Sequence, residues 1–418
     1  MVVALVAVAT VAAASLAGAG SAGAQGSVRG VTDDEIKVSG LGVANLYGDG
    51  NKAAQARFDL AAKNKEIPGG RKIVSVGFAD DKQTADINTQ EVRRLVDQER
   101  VFAIVPTITP MLTGTYVNQQ KVPVVGWGIA AGYCEPTNKY AFGFTGCLVA
   151  NPPKYPGNTW GELVNAQLQG QGKGGAKGKT AAVVTEDSDS GKSGVVTISA
   201  TAEAVGMKVV YQKTALPAPP ATVSDYSPYV QDIMTSNGGQ PPDVVFLVLT
   251  SQNVIGLGRA LGQAGFKGLQ TNAVAYDPRL VQLANGWSPF TQFATPEAPA
   301  PAMKEIVSTL QAAGVTLISQ PVLAGYFAAD MFVQIIKKVG KNLTPERFQK
   351  VAAKFKYSIP DVVGETVYPA SFKAGAPCGQ LATSDGTKYT VTAPYACYDL
   401  LTEKNGEWVT VPYPSGVK

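Results

Sequence analysis

Short runs of consecutive apolar residues punctuate the chain, each followed by a polar loop and a stretch with helical spacing. The clearest instance is residues 101–131. VFAIV at 101–105 is a β-branched run of the kind that forms a buried parallel strand, and it stops at Pro106. A hydroxyl-rich loop follows at 107–110, then a polar, helix-length segment at 111–120. A second buried run at 122–125 ends in the loop Gly126-Trp127-Gly128-Ile129-Ala130. Strand, loop, helix, strand, loop predicts a βαβ unit with a right-handed crossover. Ligands of open α/β sheets settle at the carboxyl ends of parallel strands, so these two loops form the first candidate site.

The same rhythm fills the rest of the chain. Strands are predicted over 36–42 and 72–77, and a helix over 86–98 with Val92, Leu95 and Val96 on its apolar face. A second series has helices at 160–168, 195–205, 226–236 and 255–264. Between them come strands at 181–185, 208–211 and 244–249 and one beginning at 270, with an acidic loop at 186–191. Helices follow at 302–313, 324–339 and 341–354, the last opened by Thr344-Pro345-Glu346 as cap, first-turn proline and acidic residue. The tail holds short β segments at 387–392 and 397–401. The fold class is therefore α/β, with two Rossmann-like lobes built on parallel sheets.

Composition narrows the function. A length of 418 residues implies two or three domains, and 45% hydrophobic with 16% charged residues implies globular ones. A net charge of +4, without basic runs interleaved with aromatics, points away from nucleic acid. The chain has no histidine, which excludes His-based triads and His metal sites. Residues 1–19 are almost wholly small or apolar, and Ala22-Gly23-Ala24 offers a cleavage site, so 1–30 is expected to be a signal peptide and flexible leader. No basic residue precedes the apolar run, and Ala19 stands where a lipid-anchor cysteine would be. Export to the periplasm or cell surface is the expectation. Four cysteines in two local pairs fit that compartment. They suggest Cys134–Cys147 and Cys378–Cys397 among three allowed connectivities, and their spacing does not suit zinc.

Three stretches look catalytic and fail. Gly40-Leu41-Gly42 begins like a dinucleotide fingerprint, but Asn45 replaces the third glycine. Gly178-Lys179-Thr180 ends like a phosphate loop, yet it precedes a strand and Lys173 takes the first glycine position. The acidic loop 186–189 reads equally as a helix cap or a ligand contact. No catalytic or cofactor constellation results, so no cofactor, metal or enzymatic activity is expected.

The order of IKVSGLG, IPGGRKIVSVGFADDKQTADINTQEVRRLVDQERVFAIVP, KVPVVGWG, AAVVTEDSDSGKSG, DVVFLVLTSQNVIGLGRALGQAGFKG and GYFAADMFVQIIKKVGKNLTPERF resembles type I periplasmic solute-binding proteins. More narrowly it resembles the leucine/isoleucine/valine-binding group that serves ABC importers, from about residue 31 to 401. The resemblance implies two lobes joined by a three-crossing hinge. The N-lobe would comprise 31–150 and 294–360, and the C-lobe 151–293 and 361–418 with the tail. It implies a monomer that takes a small-molecule solute to membrane permease subunits. In the family's manner, Thr107 and Thr109 would hold a ligand carboxylate, with Trp127, Gly128 and Ala130 in the next loop. Tyr47, Ser188, Asp189, Ser190, Ser251, Gln252 and Tyr276 would complete the site. Ala130 stands where the family carries a hydroxyl, and no acidic residue near 273–276 answers to the one that grips an ammonium. The expected ligand is therefore a carboxylate- or carbonyl-bearing organic molecule: amino-acid-like, aromatic or lipid-like. The alternative is a sensor or an enzyme on the same fold.

Overall fold

The computed structural model describes residues 28–112, 114–134 and 138–418. The signal-peptide expectation falls almost entirely on residues outside these. Among the described residues no helix is long and apolar enough to cross a membrane.

Five parallel strands make the first sheet: β1 (Glu35–Gly42), β2 (Lys72–Asp80), β3 (Ala103–Ile108), β4 (Val124–Gly126) and β5 (Ala141–Gly143), in the order β2-β1-β3-β4-β5. The second sheet holds β6 (Thr180–Asp187), β7 (Lys208–Pro217), β8 (Val244–Val248), β9 (Leu269–Asn272) and β10 (Trp287–Thr291), also mutually parallel. After a short hairpin of β11 (Lys356–Ile359) and β12 (Val363–Val367), an antiparallel pair, β13 (Cys378–Ser384) and β14 (Tyr389–Cys397), extends the second sheet beyond β10. A last hairpin, β15 (Leu400–Lys404) and β16 (Glu407–Val411), lies outside both sheets.

Two strands run further than their apolar runs suggest. β3 continues through Pro106 to Ile108, so Thr107 lies in the strand and not in a loop. The ladder accommodates the missing N–H by a register shift: β1 pairs with Ala103 and Ile104, then with Thr107 and Ile108. Likewise β6 includes Glu186 and Asp187, and the following helix starts at Asp189 rather than near 195. Ser188 caps that helix by accepting the Gly191 N–H at 3.0 Å. β5, β10 and the β11–β12 hairpin escaped the pattern because three to five residues carry too little periodicity.

Each sheet is covered on both faces, which is why its strands read as continuous apolar runs. One core of the first sheet joins residues 36–144 to residues 293–372, including the helix Gln320–Val339. That helix is apolar nearly all round and buried accordingly. Its Gly325 permits backbone contact, since a Cβ there would lie 2.0 Å from the Gly50 carbonyl oxygen. Two further cores sandwich the second sheet. The disulfides are Cys134–Cys147 and Cys378–Cys397.

An ionic cluster sits in the core that joins residues 36–144 to residues 293–372. Arg57, on the helix Asp49–Lys63, is 5% exposed and donates to Asp330 at 2.7 Å and to Glu66 at 3.1 and 2.9 Å. Tyr357 donates to the other oxygen of Asp330 at 3.1 Å. Burial alone would lower the Arg57 pKa, but the two carboxylates overcome it and raise it. Removing the guanidinium strands Asp330 in the core. Arg57→Met is predicted to cost about 3–5 kcal/mol in a denaturant titration, more than its lost packing warrants.

Candidate functional site

The carboxyl ends of the two sheets face one another, and a cavity of about 410 Å³ lies between them. From the first sheet it receives Tyr47 after β1, Pro110, Met111 and Leu112 after β3, and Trp127 and Ile129 after β4. From the second come Ser188–Gly191 after β6, Leu249 and Thr250 after β8, Ala273 and Val274 after β9, and Phe290 on β10. The helix Asp189–Ala204 adds Gly194, Thr197 and Ile198, which with Ser190 share one face by their three- and four-residue spacing. Small residues on that face leave the space open.

The walls are largely apolar and aromatic. Trp127 is 2% exposed and packs edge-on against Phe293, with ring centres 5.9 Å apart. Across the cavity Trp160 stacks on Phe290 at 4.8 Å, and its Nε1 donates to Thr271 at 2.8 Å. Among the described residues the indole N–H of Trp127 and the hydroxyl of Thr159 are buried without partners. Both disulfides touch the site, through Cys147 and Cys378.

Five of the expected residues line the cavity together: Tyr47, Trp127, Ser188, Asp189 and Ser190. The others do not line it. The Thr107 hydroxyl donates to the Ile104 carbonyl at 3.2 Å, and that of Thr109 accepts the Met111 N–H at 3.0 Å. Gly128 is packed so closely that a Cβ would lie 1.7 Å from the Gly146 carbonyl oxygen. Ala130 is buried on the far face of the first sheet. Tyr276 donates to the Glu297 carboxylate at 2.8–2.9 Å. Ser251 and Gln252 begin the helix Ser251–Gln263, outside the lining. Burial raises the Tyr47 pKa, so its phenol stays protonated.

Sequence reasoning missed Trp160, Phe290 and Met111 as cavity residues, while Ile129 and Glu186 lay in candidate loops without being singled out. Trp160 and Phe290 were detectable only as large aromatics, since neither sits in a recognisable loop. Glu186 was within reach, because the acidic loop already stood as a candidate contact.

Two α/β lobes with a cavity between opposed strand ends define a two-lobe binding protein. The chain belongs to the periplasmic binding protein family, which matches residues 37–388. Among solved structures, a fatty acid ABC transporter substrate-binding protein from Thermomonospora curvata is 17% identical with a TM-score of 0.69, covering 89% of this chain and 94% of its own. An R. palustris solute-binding protein in complex with 4-hydroxybenzoate is 19% identical, with a TM-score of 0.65 and coverage of 91% and 96%. A branched-chain amino acid ABC transporter protein from Thermus thermophilus with bound valine is 16% identical, with a TM-score of 0.64 and coverage of 87% and 97%. These likenesses are of fold. No curated protein matches the sequence.

Behind Tyr47 and Thr109 lies Asp81, fully buried and hydrogen-bonded by Asn88 at 3.0 Å and the Gln83 N–H at 3.0 Å. Burial raises its pKa, only partly offset by the hydrogen bonds from Thr109, Asn88 and Gln83. A raised native pKa means the stability this group contributes is full below the unfolded value of about 4 and is lost as pH rises through the native one. Asp81→Asn does not titrate. The melting temperature of the variant relative to wild type is therefore predicted to be lower at pH 4 than at pH 7.

Proposed function

We propose that this protein is an exported solute receptor of an ABC importer, acting as a monomer. It captures a small, largely apolar organic molecule between its lobes and presents it, enclosed, to membrane permease subunits. The carrying observation is the 410 Å³ cavity, apolar-walled and built from the carboxyl ends of both sheets. Its size suits a small organic ligand, and its few polar groups suit one polar head on an apolar body. The sequence reading gives that head as a carboxylate or carbonyl, and the residues Pro110–Leu112 and the start of the helix Asp189–Ala204 line the space it would enter. Ligands named for the similar structures include a fatty acid, 4-hydroxybenzoate and valine. Those span the aromatic, lipid-like and amino-acid-like classes expected here.

A ligand that touches both lobes favours the closed form, because only that form makes both sets of contacts. Asp49 and Arg279, 3.9 Å apart, reach across the lobes in this structure, and the contact is half-exposed and weak. Affinity must then come from the cavity. Thr197 is partly exposed and faces that space from the helix. Thr197→Phe should fill the cavity while leaving the melting temperature near that of wild type. Native mass spectrometry of gently purified protein is expected to show a copurified small molecule on wild type and none on the variant. Equal occupancy on both would place the solute elsewhere.

A further inference from the structure

Residues 399–418 are fastened to both lobes over a short length of backbone. On the second lobe, the Leu401 N–H donates to the Pro156 carbonyl at 2.7 Å, and the Asn158 N–H donates to that of Asp399 at 3.1 Å. Leu400 and Leu401 are fully buried there, and β16 packs on the helix Asp189–Ala204. Tyr413, two residues beyond β16, is held by the first lobe instead. Its hydroxyl accepts the Val367 N–H at 2.9 Å and shares a hydrogen bond of 2.6 Å with the Ser371 hydroxyl. Val367 ends β12, and β12 with its partner β11 places Val363 and Tyr357 in the core of the first sheet. The chain then turns back, and the Lys418 N–H donates at 3.0 Å to Tyr155, next to Pro156. Residues 399–418 lie beyond 388, where the family match ends.

Such an attachment has little slack. Consecutive Cα atoms are about 3.8 Å apart, so Tyr413 reaches at most about 7 Å from Val411. Pro412 and Pro414 flank it and stiffen the segment. Any movement that carries β12 away from β16 pulls this segment taut. We infer that residues 412–418 form a strap, pegged by Tyr413 into the first lobe, that limits how far the lobes part when the cavity is empty. The strap stands outside the cavity lining, so it acts without touching the solute. A receptor kept near its closed shape spends less of its binding free energy on closing, and its affinity rises accordingly. The inference rests on the receptor reading only for the movement of the lobes.

Small-angle X-ray scattering tests it on solute-free protein, prepared by unfolding with the disulfides intact, dialysis and refolding. Tyr413→Phe removes the hydroxyl of the peg and keeps its ring. A Gly-Ser-Gly insertion between Val411 and Pro412 keeps every contact of Tyr413 and adds about 10 Å of slack. Both variants should show a larger radius of gyration and a longer maximum dimension than wild type. A radius equal to that of wild type in the insertion variant would overturn the inference, whether or not Tyr413→Phe folds or changes shape. No solute enters the measurement, so that result would leave the cavity standing as the solute site.

Discussion

The structure depends on a knot of backbone where the chain passes between its lobes. It passes between the sheets at 144–150, 292–295 and 368–377; the first and third passages touch, and the second packs on Phe144 and against β12. The Cys147 N–H donates to the Ser371 carbonyl and the Ala376 N–H to that of Thr145, both at 2.9 Å. Ala294 donates to Val362 at 2.9 Å, and Phe293 bridges Val363. Glycines make this approach possible. A Cβ at Gly146 would lie 2.6 Å from the Ala374 carbonyl oxygen, and one at Gly143 would lie 2.6 Å from that of Gly146. Around the knot, Phe144 packs on Phe293 and Phe327, and Thr366 donates to the Phe144 carbonyl at 2.6 Å.

Trp127 connects this knot to the cavity. One side of its ring lies on Phe293 at the second crossing, and the residue also lines the cavity. A ligand resting on Trp127 therefore presses on the residues about which the lobes would turn. Both disulfides attach here too, since Cys147 lies in the first crossing and Cys378 ends the third. The C-terminal tail braces the same region from outside. Tyr413 reaches the Val367 N–H and the Ser371 hydroxyl at 2.9 and 2.6 Å, and Tyr155, which lines the cavity, bonds the backbone of Lys418 at 3.0 Å.

Much of the fold was legible because buried parallel strands write themselves as uninterrupted apolar runs. VVFLV at β8 and the run leading into β3 are cases, as is the all-round apolar helix Gln320–Val339. Strand ends were less legible. Proline and acidic residues read as loop in β3 and β6, whereas register shifts and neighbouring strands kept them in the sheets. That difference governs the site. One extra pair of residues moves Thr107 from a candidate loop into a ladder and brings Glu186 from a loop into a buried strand end. Residues that meet only in space, such as Trp160 and Phe290, leave no local mark on the sequence.

The central claim is that a ligand between opposed strand ends holds the lobes together. Spin labels on cysteines introduced for Asp49 and Arg279, which lie on either side of the cleft, report this directly by pulsed electron resonance. Protein that retains its copurified solute should give a single short distance. Protein unfolded with its disulfides intact, dialysed free of solute and refolded should give a longer and broader distribution. Identical distributions in the two preparations, with the solute's loss verified by mass, would contradict the account.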